Sequence, residues 1–390
     1  MPSLKKKILY VIPYFVPAFS FGGSVKVTYD FAKELTRLGY DVTVATTDVL
    51  DSNSRNKKLS EKIDKINIVR FKNLSNKLAR NLNFYTPIGF NKWLKQNIEK
   101  FDIVHIHELF TYQTIVAGSI CRKKKKKYFL QPHGSLFLTA RKSRFYLLKS
   151  FIIKKLAPLV TFSSAIIALN EKEKRNILKV YPLLEQKIKI VPNGLDMNEF
   201  KSIKKIDLYK QYCIPQKNKI IAFIGRIKFV KGLDISLKVL ANLKDKLNFT
   251  FLIIGPDEGE KDNLEALAKT LNINDRVIFA GLMSGVKKLQ TLKSADLSLL
   301  NSRSEGLPTT LLESAALGLP VVCSRESNLP ELDFYHAGFI VRNVKESADK
   351  IKQILTNDYL RKKLSCNALK LAGSFDLKKC AQTLRKIYGI

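Results

Sequence analysis

Two glutamates separated by seven residues are the feature of the sequence that most directly suggests chemistry. Glu305 and Glu313 flank a Gly-Leu-Pro turn, which predicts one carboxylate on a loop and the other in the first turns of a helix. Carboxylates placed in this way suit paired hydroxyls, such as those of a sugar ring and a ribose. Thr310 and Glu313 also match a helix capping box in type and spacing. The local pattern leaves both interpretations open.

A pair of cations follows the first predicted strand in the second half of the chain. Arg226 and Lys231 lie between Gly225 and Gly232, at the carboxyl end of a strand and the start of a helix. Positive charge there, added to the helix dipole, suits a diphosphate, and two cations could replace a metal in stabilising a phosphate leaving group. A solvated basic loop is the rival interpretation.

Adjacent glycines and histidines follow predicted strands in the first half. Gly22 and Gly23 precede a predicted helix, where backbone N–H groups can approach an anion, although a plain tight turn is the simpler explanation. His107 ends a predicted strand and His133 lies in a Pro-His-Gly turn, and a buried, hydrogen-bonded histidine is the alternative for each. His105 and His107 share a strand face without a third ligand at a plausible spacing, so we expect no zinc site.

Composition excludes several classes of protein. The 390 residues are 45% hydrophobic, enough for two domains, and the five cysteines form no Cys-x-x-Cys pair, which argues against a disulfide framework or a zinc ribbon. The first apolar run is too short for a secretion signal, and no apolar stretch reaches the roughly 18 residues needed to span a bilayer. We therefore expect a cytoplasmic protein. Serine hydrolase, metalloprotease and metal-bridged sugar-nucleotide motifs are missing as well.

The net charge of +34 is unevenly distributed. Between Leu109 and Asn170 there is no acidic residue, and there are twelve basic ones. Within this stretch, residues 140–156 predict a basic amphipathic helix that could lie on an anionic membrane. Its apolar positions recur at helical spacing: Phe145, Leu148, Ile152 and Leu156. Packing of that face on the sheet is the alternative, and a genome that favours A/T-rich codons would explain part of the lysine excess.

The elements that must position these residues are short Ile/Val-rich runs alternating with amphipathic segments, which is typical of parallel sheets wrapped by helices. The alternation restarts with a strand over 220–224, and helices alone are expected after the strand over 321–323. A helix is predicted over 142–156. We predict two doubly wound α/β domains with a boundary between 196 and 219, and ligands at the carboxyl ends of the strands, in the cleft between the domains.

Five motifs in this order resemble glycosyltransferase family 4, the large group of retaining sugar-nucleotide transferases with the GT-B fold. They are Gly22-Gly23, Pro132-His133-Gly134, Pro192-Asn193-Gly194-Leu195-Asp196, Gly225-Arg226…Lys231-Gly232, and Glu305-x7-Glu313 with Gly318-x-Pro320. The resemblance implies two Rossmann-like doubly wound domains facing across a cleft. It implies an acceptor domain over 1–195, onto which a C-terminal helix at about 374–390 packs back, and a nucleotide-sugar donor domain over 196–373.

The resemblance also implies roles for individual residues. Arg226 and Lys231 would bind the diphosphate, Glu313 the ribose, and Glu305 would lie near the donor sugar. His133 would face the transferred sugar, with His107 behind it. The predicted catalytic residues are His133, Glu305, Arg226 and Lys231. The other predicted donor-binding positions are Gly22, Gly23, Gly225, Gly306, Leu307, Thr309 and Glu313.

The implied activity is transfer of a sugar from a nucleotide-diphosphate sugar, with UDP the commonest nucleotide in the family, to a hydroxyl of a glycan or lipid-linked acceptor with retention at the anomeric carbon. Neither a metal nor a cofactor is expected. Family members that build surface polysaccharides such as capsule, O-antigen or exopolysaccharide commonly use lipid-linked acceptors, so contact with the anionic inner face of the cell membrane is a further expectation. Two alternatives are a non-catalytic regulator that binds a sugar nucleotide and a nucleic-acid-binding protein. The basic stretch carries no nucleic-acid-binding signature, so we expect no nucleic-acid partner.

Overall fold

The strands of this protein are short, and those in the middle of each sheet are almost wholly buried, as expected where helices cover a parallel sheet on both faces. The computed structural model describes residues 5–51, 53–82, 84–135 and 146–390, with the backbone alone for 80–82 and 146–152. It comprises two compact units. The first unit is Met1–Gly194 with Leu377–Ile390, and the second unit is Leu195–Asp376.

The first unit is built on an eight-stranded sheet. Its strands are β1 Lys7–Val11, β2 Asp41–Thr47, β3 Ser60–Ile63, β4 Ile66–Phe71, β5 Ile103–His107, β6 Tyr128–Gln131, β7 Ala165–Ala168 and β8 Ile188–Ile190. The strand order is β3-β4-β2-β1-β5-β6-β7-β8, and every pairing is parallel except that of β3 with β4. Successive strands are therefore added in one direction from β1 and in the other direction from β5. Open α/β sheets bind ligands at such a point of reversal.

Helices cover both faces of this sheet. They are α1 Gly23–Arg37, α2 Asn76–Leu82, α3 Phe90–Asn97, α4 Tyr112–Lys123, α5 Tyr146–Thr161 and α6 Glu171–Val180, joined by a C-terminal helix, Leu377–Tyr388. One apolar cluster joins α1 and the C-terminal helix to one face, and a second joins α3, α4 and α5 to the other. Gly194 permits the return of the chain, since a side chain there would lie 2.8 Å from the Cα atom of Leu377.

The second unit repeats the architecture on a smaller sheet. Its strands are β9 Lys219–Ile224, β10 Phe249–Ile254, β11 Val277–Gly281, β12 Leu297–Leu300, β13 Val321–Ser324 and β14 Gly338–Val341. Its helices are α7 Met197–Lys201, α8 Leu208–Gln211, α9 Leu233–Ala241, α10 Lys261–Thr270, α11 Gly285–Ser294, α12 Thr309–Ala316, α13 Glu331–Phe334, α14 Val344–Thr356 and α15 Asp358–Ser374. The six strands are parallel in the order β11-β10-β9-β12-β13-β14, so the direction reverses between β9 and β12.

Two glycines let the loop after β9 approach the loops after its two neighbouring strands, β12 and β10, closely. Gly232, with φ +63°, begins α9, and a Cβ atom there would lie 1.9 Å from the carbonyl oxygen of Asn301. Gly255, with φ +153°, follows β10, and a Cβ atom there would lie 1.8 Å from the carbonyl oxygen of Gly225. Only glycine fits either position, because both the backbone conformation and the space exclude a side chain.

Several elements differ from the sequence-based expectation. The prediction of helices alone after residue 323 is wrong, because β14 pairs with β13 at the edge of the sheet. The four residues of β14 include a glycine, so its sequence gives little indication of a strand. Strand β3 has the polar sequence Ser-Glu-Lys-Ile and was not predicted, since it forms by antiparallel pairing with β4 at the other sheet's edge. Helices α2 and α3 were also missed.

The predicted membrane helix lies partly outside the described residues. Phe145 is not described, nor are the side chains of Leu148 and Ile152. Helix α5 runs five residues past the predicted end, and the described side chains of Ile153 and Leu156 are buried in the core cluster under the sheet. Among the residues that the structure describes, no helix combines the length and apolar character needed to cross a membrane.

Substituting Gly232 tests the close approach of the two loops. Gly232→Ala should lower the free energy of unfolding by roughly 2–4 kcal/mol, because it combines left-handed strain with a backbone clash. Gly281→Ala is the matched control, since Gly281 has φ +73° but nothing within 4 Å of an added Cβ atom. It should cost only about 1–2 kcal/mol. Urea unfolding curves measure both, and equal losses would contradict the predicted clash.

Candidate functional site

Two of the predicted catalytic residues form one ion pair at the reversal of the second sheet. Lys231 lies in the loop between β9 and α9, and Glu305 in the loop between β12 and α12. Nζ of Lys231 is 2.6 Å from Oε1 of Glu305, and both side chains are largely buried. The Ser302 hydroxyl donates a hydrogen bond to the same carboxylate oxygen. The lysine is thereby held at a defined position on the ligand-binding edge of the sheet.

Arg226 pairs with a carboxylate that the sequence analysis missed. Its Nη1 atom is 3.2 Å from Oε1 of Glu258, which lies in the loop after β10, and Nζ of Lys228 is 3.4 Å from the other oxygen. Gly225 separates Arg226 from β9, and a side chain there would lie 3.7 Å from Cε of Lys231. The two predicted diphosphate ligands, Arg226 and Lys231, thus lie in the same loop but pair with different carboxylates.

Glu313 does not cap its helix. Helix α12 begins at Thr309 with Pro308 as the N-cap residue and no side-chain cap hydrogen bond, so Glu313 is the fifth helical residue instead of the third. Its two carboxylate oxygens each accept a hydrogen bond of 2.7 Å from Nζ of Lys288 on α11. The capping interpretation is therefore wrong, and the carboxylate belongs to a second buried ion pair.

The loop between these two glutamates carries the other predicted positions of the second unit. The carbonyl oxygen of Gly306 accepts a hydrogen bond from the side-chain amide of Asn328, and Leu307 is buried. Thr309 opens α12, whose first-turn N–H groups have no side-chain cap. Such N–H groups favour an anion at the helix N-terminus.

Arg303 links the two loops of the second unit and was not identified from the sequence. It donates two hydrogen bonds, of 2.8 and 2.7 Å, to the carboxylate of Asp234, and its guanidinium lies 3.8 Å from the ring centroid of Phe229. Hydrogen bonding from Arg303 lowers the pKa of Asp234. This clamp fixes the loop of Lys231 against the loop of Glu305, since Arg303 precedes Glu305 by two residues.

In the first unit, the structure places His133 and His107 in contact. Nδ1 of His107 lies 2.9 Å from Nε2 of His133, and the rings are stacked. Burial lowers the pKa of His133 from 6.5 to about 4. The pKa of His107 is also lowered, first by burial and then by the neighbouring histidines. The pair is therefore uncharged at neutral pH.

The turn that carries His133 is held by a buried carboxylate. Glu173 accepts hydrogen bonds of 2.6 Å from the N–H of Gly134 and 2.7 Å from the N–H of Leu169. Burial raises the pKa of Glu173 despite these bonds. The turn needs such support, because His133 itself has φ +51°. Residue spacing alone gave no signal for this role of Glu173.

Gly22 and Gly23 begin α1, with φ +102° at Gly22. Ser24, the next residue, donates a 3.4 Å hydrogen bond to the hydroxyl of Tyr14. The Tyr14 hydroxyl in turn donates to Oε1 of Glu108 at 2.9 Å, and Glu108 directly follows His107. The glycine loop and the histidine pair are thus linked through two polar side chains at the ends of β1 and β5.

His105 serves a structural role, since its Nδ1 atom lies 2.6 Å from the hydroxyl of Tyr388 in the C-terminal helix. Burial strongly lowers the pKa of His105. Within the described parts of the chain, no group of three or more His, Cys, Asp or Glu side chains could hold a metal ion.

Comparisons with known proteins agree on one family. The model described as Glycosyltransferase Family 4 matches residues 21–199, and that described as Glycosyl transferases group 1 matches residues 204–371. The chain is 25% identical over 240 residues to an uncharacterized glycosyltransferase of Methanocaldococcus jannaschii, covering 60% of each chain. It is 28% identical over 239 residues to the O-antigen biosynthesis glycosyltransferase WclY of Escherichia coli, covering 61% of this chain and 64% of WclY. The matches thus span about three fifths of the length of these curated relatives.

A solved structure has the same fold. HepE of Anabaena, crystallised in complex with UDP and glucose, superposes with a TM-score of 0.75 at 18% sequence identity and covers 98% of both chains. Together with the two parallel sheets, this likeness confirms the predicted fold class, which is a GT-B protein of two Rossmann-like α/β domains.

A double-mutant cycle tests the Lys288–Glu313 pair. Lys288→Met should lower the free energy of unfolding by about 1–3 kcal/mol, because it leaves a mostly buried carboxylate without its partner. Adding Glu313→Gln should restore much of that loss. Lys287→Met, at an exposed neighbouring position, is the control and should be nearly neutral. Additive effects of the two substitutions, measured by urea unfolding, would contradict the coupling.

Acid should destabilise the first unit through its buried histidines. Between pH 6.5 and about 4 the unfolded chain binds a proton at residue 133 that the folded chain does not, so stability falls as the pH falls. Replacing His133 with Asn removes this contribution and should make the free energy of unfolding less dependent on pH in that window. Urea unfolding midpoints at a series of pH values measure the slope, and an unchanged slope would contradict the lowered pKa.

Proposed function

The chain belongs to glycosyltransferase family 4, and on that basis we propose that it transfers a sugar from a nucleotide-diphosphate sugar to a hydroxyl group of a glycan or lipid-linked acceptor, with retention at the anomeric carbon. The proposed nucleotide is UDP, in line with the UDP complex of the similar HepE. The proposed reaction uses no metal and no cofactor.

The observation that carries this proposal is the pairing of Lys231 with Glu305 at the reversal of the second sheet. The 2.6 Å distance between Nζ of Lys231 and Oε1 of Glu305 puts a cation beside a carboxylate, and Arg226 adds a second cation from the loop of Lys231. Charge-assisted hydrogen bonds from such cations are well suited to phosphate oxygens. Glu313 on the following helix, oriented by Lys288, is proposed to accept hydrogen bonds from the ribose hydroxyls.

The proposed step breaks the bond between the anomeric carbon and the phosphate oxygen and forms a bond from that carbon to the acceptor oxygen on the same face of the sugar. The proton of the acceptor hydroxyl passes to the departing phosphate oxygen, and the nucleoside diphosphate leaves. Arg226 and Lys231 stabilise the negative charge that develops on the diphosphate. Glu305 positions Lys231 and contacts the donor sugar, and no enzyme nucleophile is required.

In the first unit, His133 is proposed to contact the transferred sugar and to act as an uncharged hydrogen-bonding group. Its pKa of about 4 supports the uncharged form at neutral pH. The Gly22–Gly23 loop is proposed to approach the donor phosphate with backbone N–H groups. The similarity to an O-antigen biosynthesis enzyme supports surface polysaccharide as the proposed class of product. Synthesis at the inner face of the membrane is part of the same proposal.

Removing a proposed diphosphate ligand should reduce turnover far more than stability. Lys231→Ala, Arg226→Ala and Glu305→Gln should each lower kcat by roughly 10²–10³-fold, about 3–4 kcal/mol of transition-state stabilisation. Lys228→Ala is the matched control, because Lys228 shares the Glu258 partner but has a half-exposed side chain. Near-normal turnover in Lys231→Ala or Glu305→Gln would refute these assignments.

The assay is release of the nucleoside diphosphate from a panel of nucleotide sugars, with and without EDTA. Turnover that survives EDTA supports metal-independent transfer, and loss of turnover refutes it. Binding of a nucleotide sugar without turnover on any acceptor would favour a regulator instead, and salt-sensitive nucleic-acid binding alone would favour the third class.

A further inference from the structure

An arm of the first unit, residues 72–88, extends from the end of β4 and is closed at its base by backbone pairing. The N–H of Ile88 donates to the carbonyl of Lys72, and the N–H of Leu74 donates to the carbonyl of Thr86. Helix α2 lies within the arm. The side-chain oxygen of Asn73 accepts a 2.8 Å hydrogen bond from the N–H of Thr86. The arm is therefore a closed element with two distinct faces.

The inner face of the arm is anchored to the body of the unit. Tyr85 is buried, and its ring lies 5.8 Å from that of Tyr14 and 6.3 Å from that of Phe21. Ala79 is buried in the same core cluster. The side-chain amide of Asn76 donates hydrogen bonds to the carbonyls of Asp51 and Ser54. These contacts determine which side of the arm faces outwards.

The outer face is apolar and exposed. Among the side chains of this short arm that the structure describes, four large apolar ones have exposed fractions of 41–67%. They are Leu74, Leu78, Phe84 and Ile88. The backbone pairing places Leu74 near Ile88, and the N–H of Phe84 donates to the carbonyl of Leu78. Exposed apolar residues that occur singly are ordinary, but a group of them on one element indicates a contact surface.

The charged residues of the arm and of α3 are all basic. Residues 72–97 contain five lysines and arginines and no aspartate or glutamate. Lys72 and Lys77 on the arm are exposed, as are Lys92 and Lys95 on α3, which follows it. Apolar side chains bordered by cations match the interface of a bilayer that contains anionic lipid, where each nearby cation contributes about 1 kcal/mol. A surface bordered by acidic or uncharged residues would offer the apolar contact but not the attraction to anionic headgroups.

We propose that the arm docks the protein on an anionic lipid bilayer, with Leu74, Phe84 and Ile88 in the acyl boundary and the lysines at the headgroups. Through Tyr85, the arm contacts Tyr14, whose hydroxyl donates to Glu108. Docking by the arm therefore brings the Gly22–Gly23 and His133 end of the first sheet towards the bilayer. The lipid-linked nature of the acceptor rests on the proposed function, but the docking surface does not.

Vesicle flotation of the full chain tests the surface. The wild type should float with vesicles of phosphatidylcholine mixed with phosphatidylglycerol at low salt, and not with phosphatidylcholine alone. Leu74→Ser/Phe84→Ser/Ile88→Ser and Lys72→Glu/Lys77→Glu should each reduce binding by roughly tenfold or more. The matched controls change residues at least as exposed: Leu183→Ser/Phe334→Ser/Tyr359→Ser and Lys362→Glu/Lys363→Glu. They should float like the wild type.

Four results would overturn the proposal. The first is absence of wild-type flotation, and the second is an equal loss of binding in the control variants. The third is a loss of binding only in Arg141→Glu/Lys142→Glu, which would assign binding to the 140–156 segment. The fourth is self-association of the protein, seen by light scattering, that the arm substitutions abolish. Thermal melting of each variant checks that it is folded. Flotation requires no turnover and the arm variants should release nucleoside diphosphate at the wild-type rate, so the docking surface and the proposed function can fail independently.

Discussion

Helices on both faces of each parallel sheet leave the carboxyl ends of the strands as the place where loops can open to a ligand. In each sheet the strand order makes neighbouring loops diverge at one point. This point lies between β1 and β5 in the first sheet and between β9 and β12 in the second. In the second unit the loops after β9 and β12 approach closely at Gly232, where a side chain would clash with Asn301. The clamp of Arg303 on Asp234 adds a polar link between the same loops. These contacts hold the loop of Lys231 against the loop of Glu305.

Charges in that site occur as pairs drawn from different loops. Glu305 meets Lys231, Glu313 meets Lys288, and Glu258 meets Arg226 and Lys228. Mostly buried charges are stable only when paired, so each carboxylate also fixes the position of a cation. A diphosphate that binds to Arg226 and Lys231 would compete with Glu258 and Glu305 for them. The geometry of the cations is thus preorganised, at the cost of part of their attraction for the ligand.

The first unit handles charge in the opposite way. Its chemistry-bearing edge holds His107 and His133, whose pKa values burial lowers, so these two side chains are uncharged at neutral pH in a protein of net charge +34. Exposed lysines lie elsewhere on this unit, including Lys72 and Lys77 of the arm. An uncharged histidine pair and a separate basic surface would suit the proposed binding of a sugar at one place and of anionic lipid at another.

The sequence by itself determined the two α/β units, because strands buried on both faces appear as continuous apolar runs between amphipathic helices. It also predicted Arg226, Lys231, Glu305 and His133 as site residues, from their positions after such strands and from the family resemblance, and these roles stay predictions. It did not reveal β3 or β14, which are short edge strands that form by pairing. The local pattern at Thr310 and Glu313 suggested a cap, but the helix starts at Thr309 and the carboxylate binds Lys288, 25 residues away in the chain. The partners of Arg226 and Lys231, and the support of His133 by Glu173, were likewise decided only by tertiary structure. Contacts between distant residues depend on the order of the strands in the sheet, and no local spacing encodes that order.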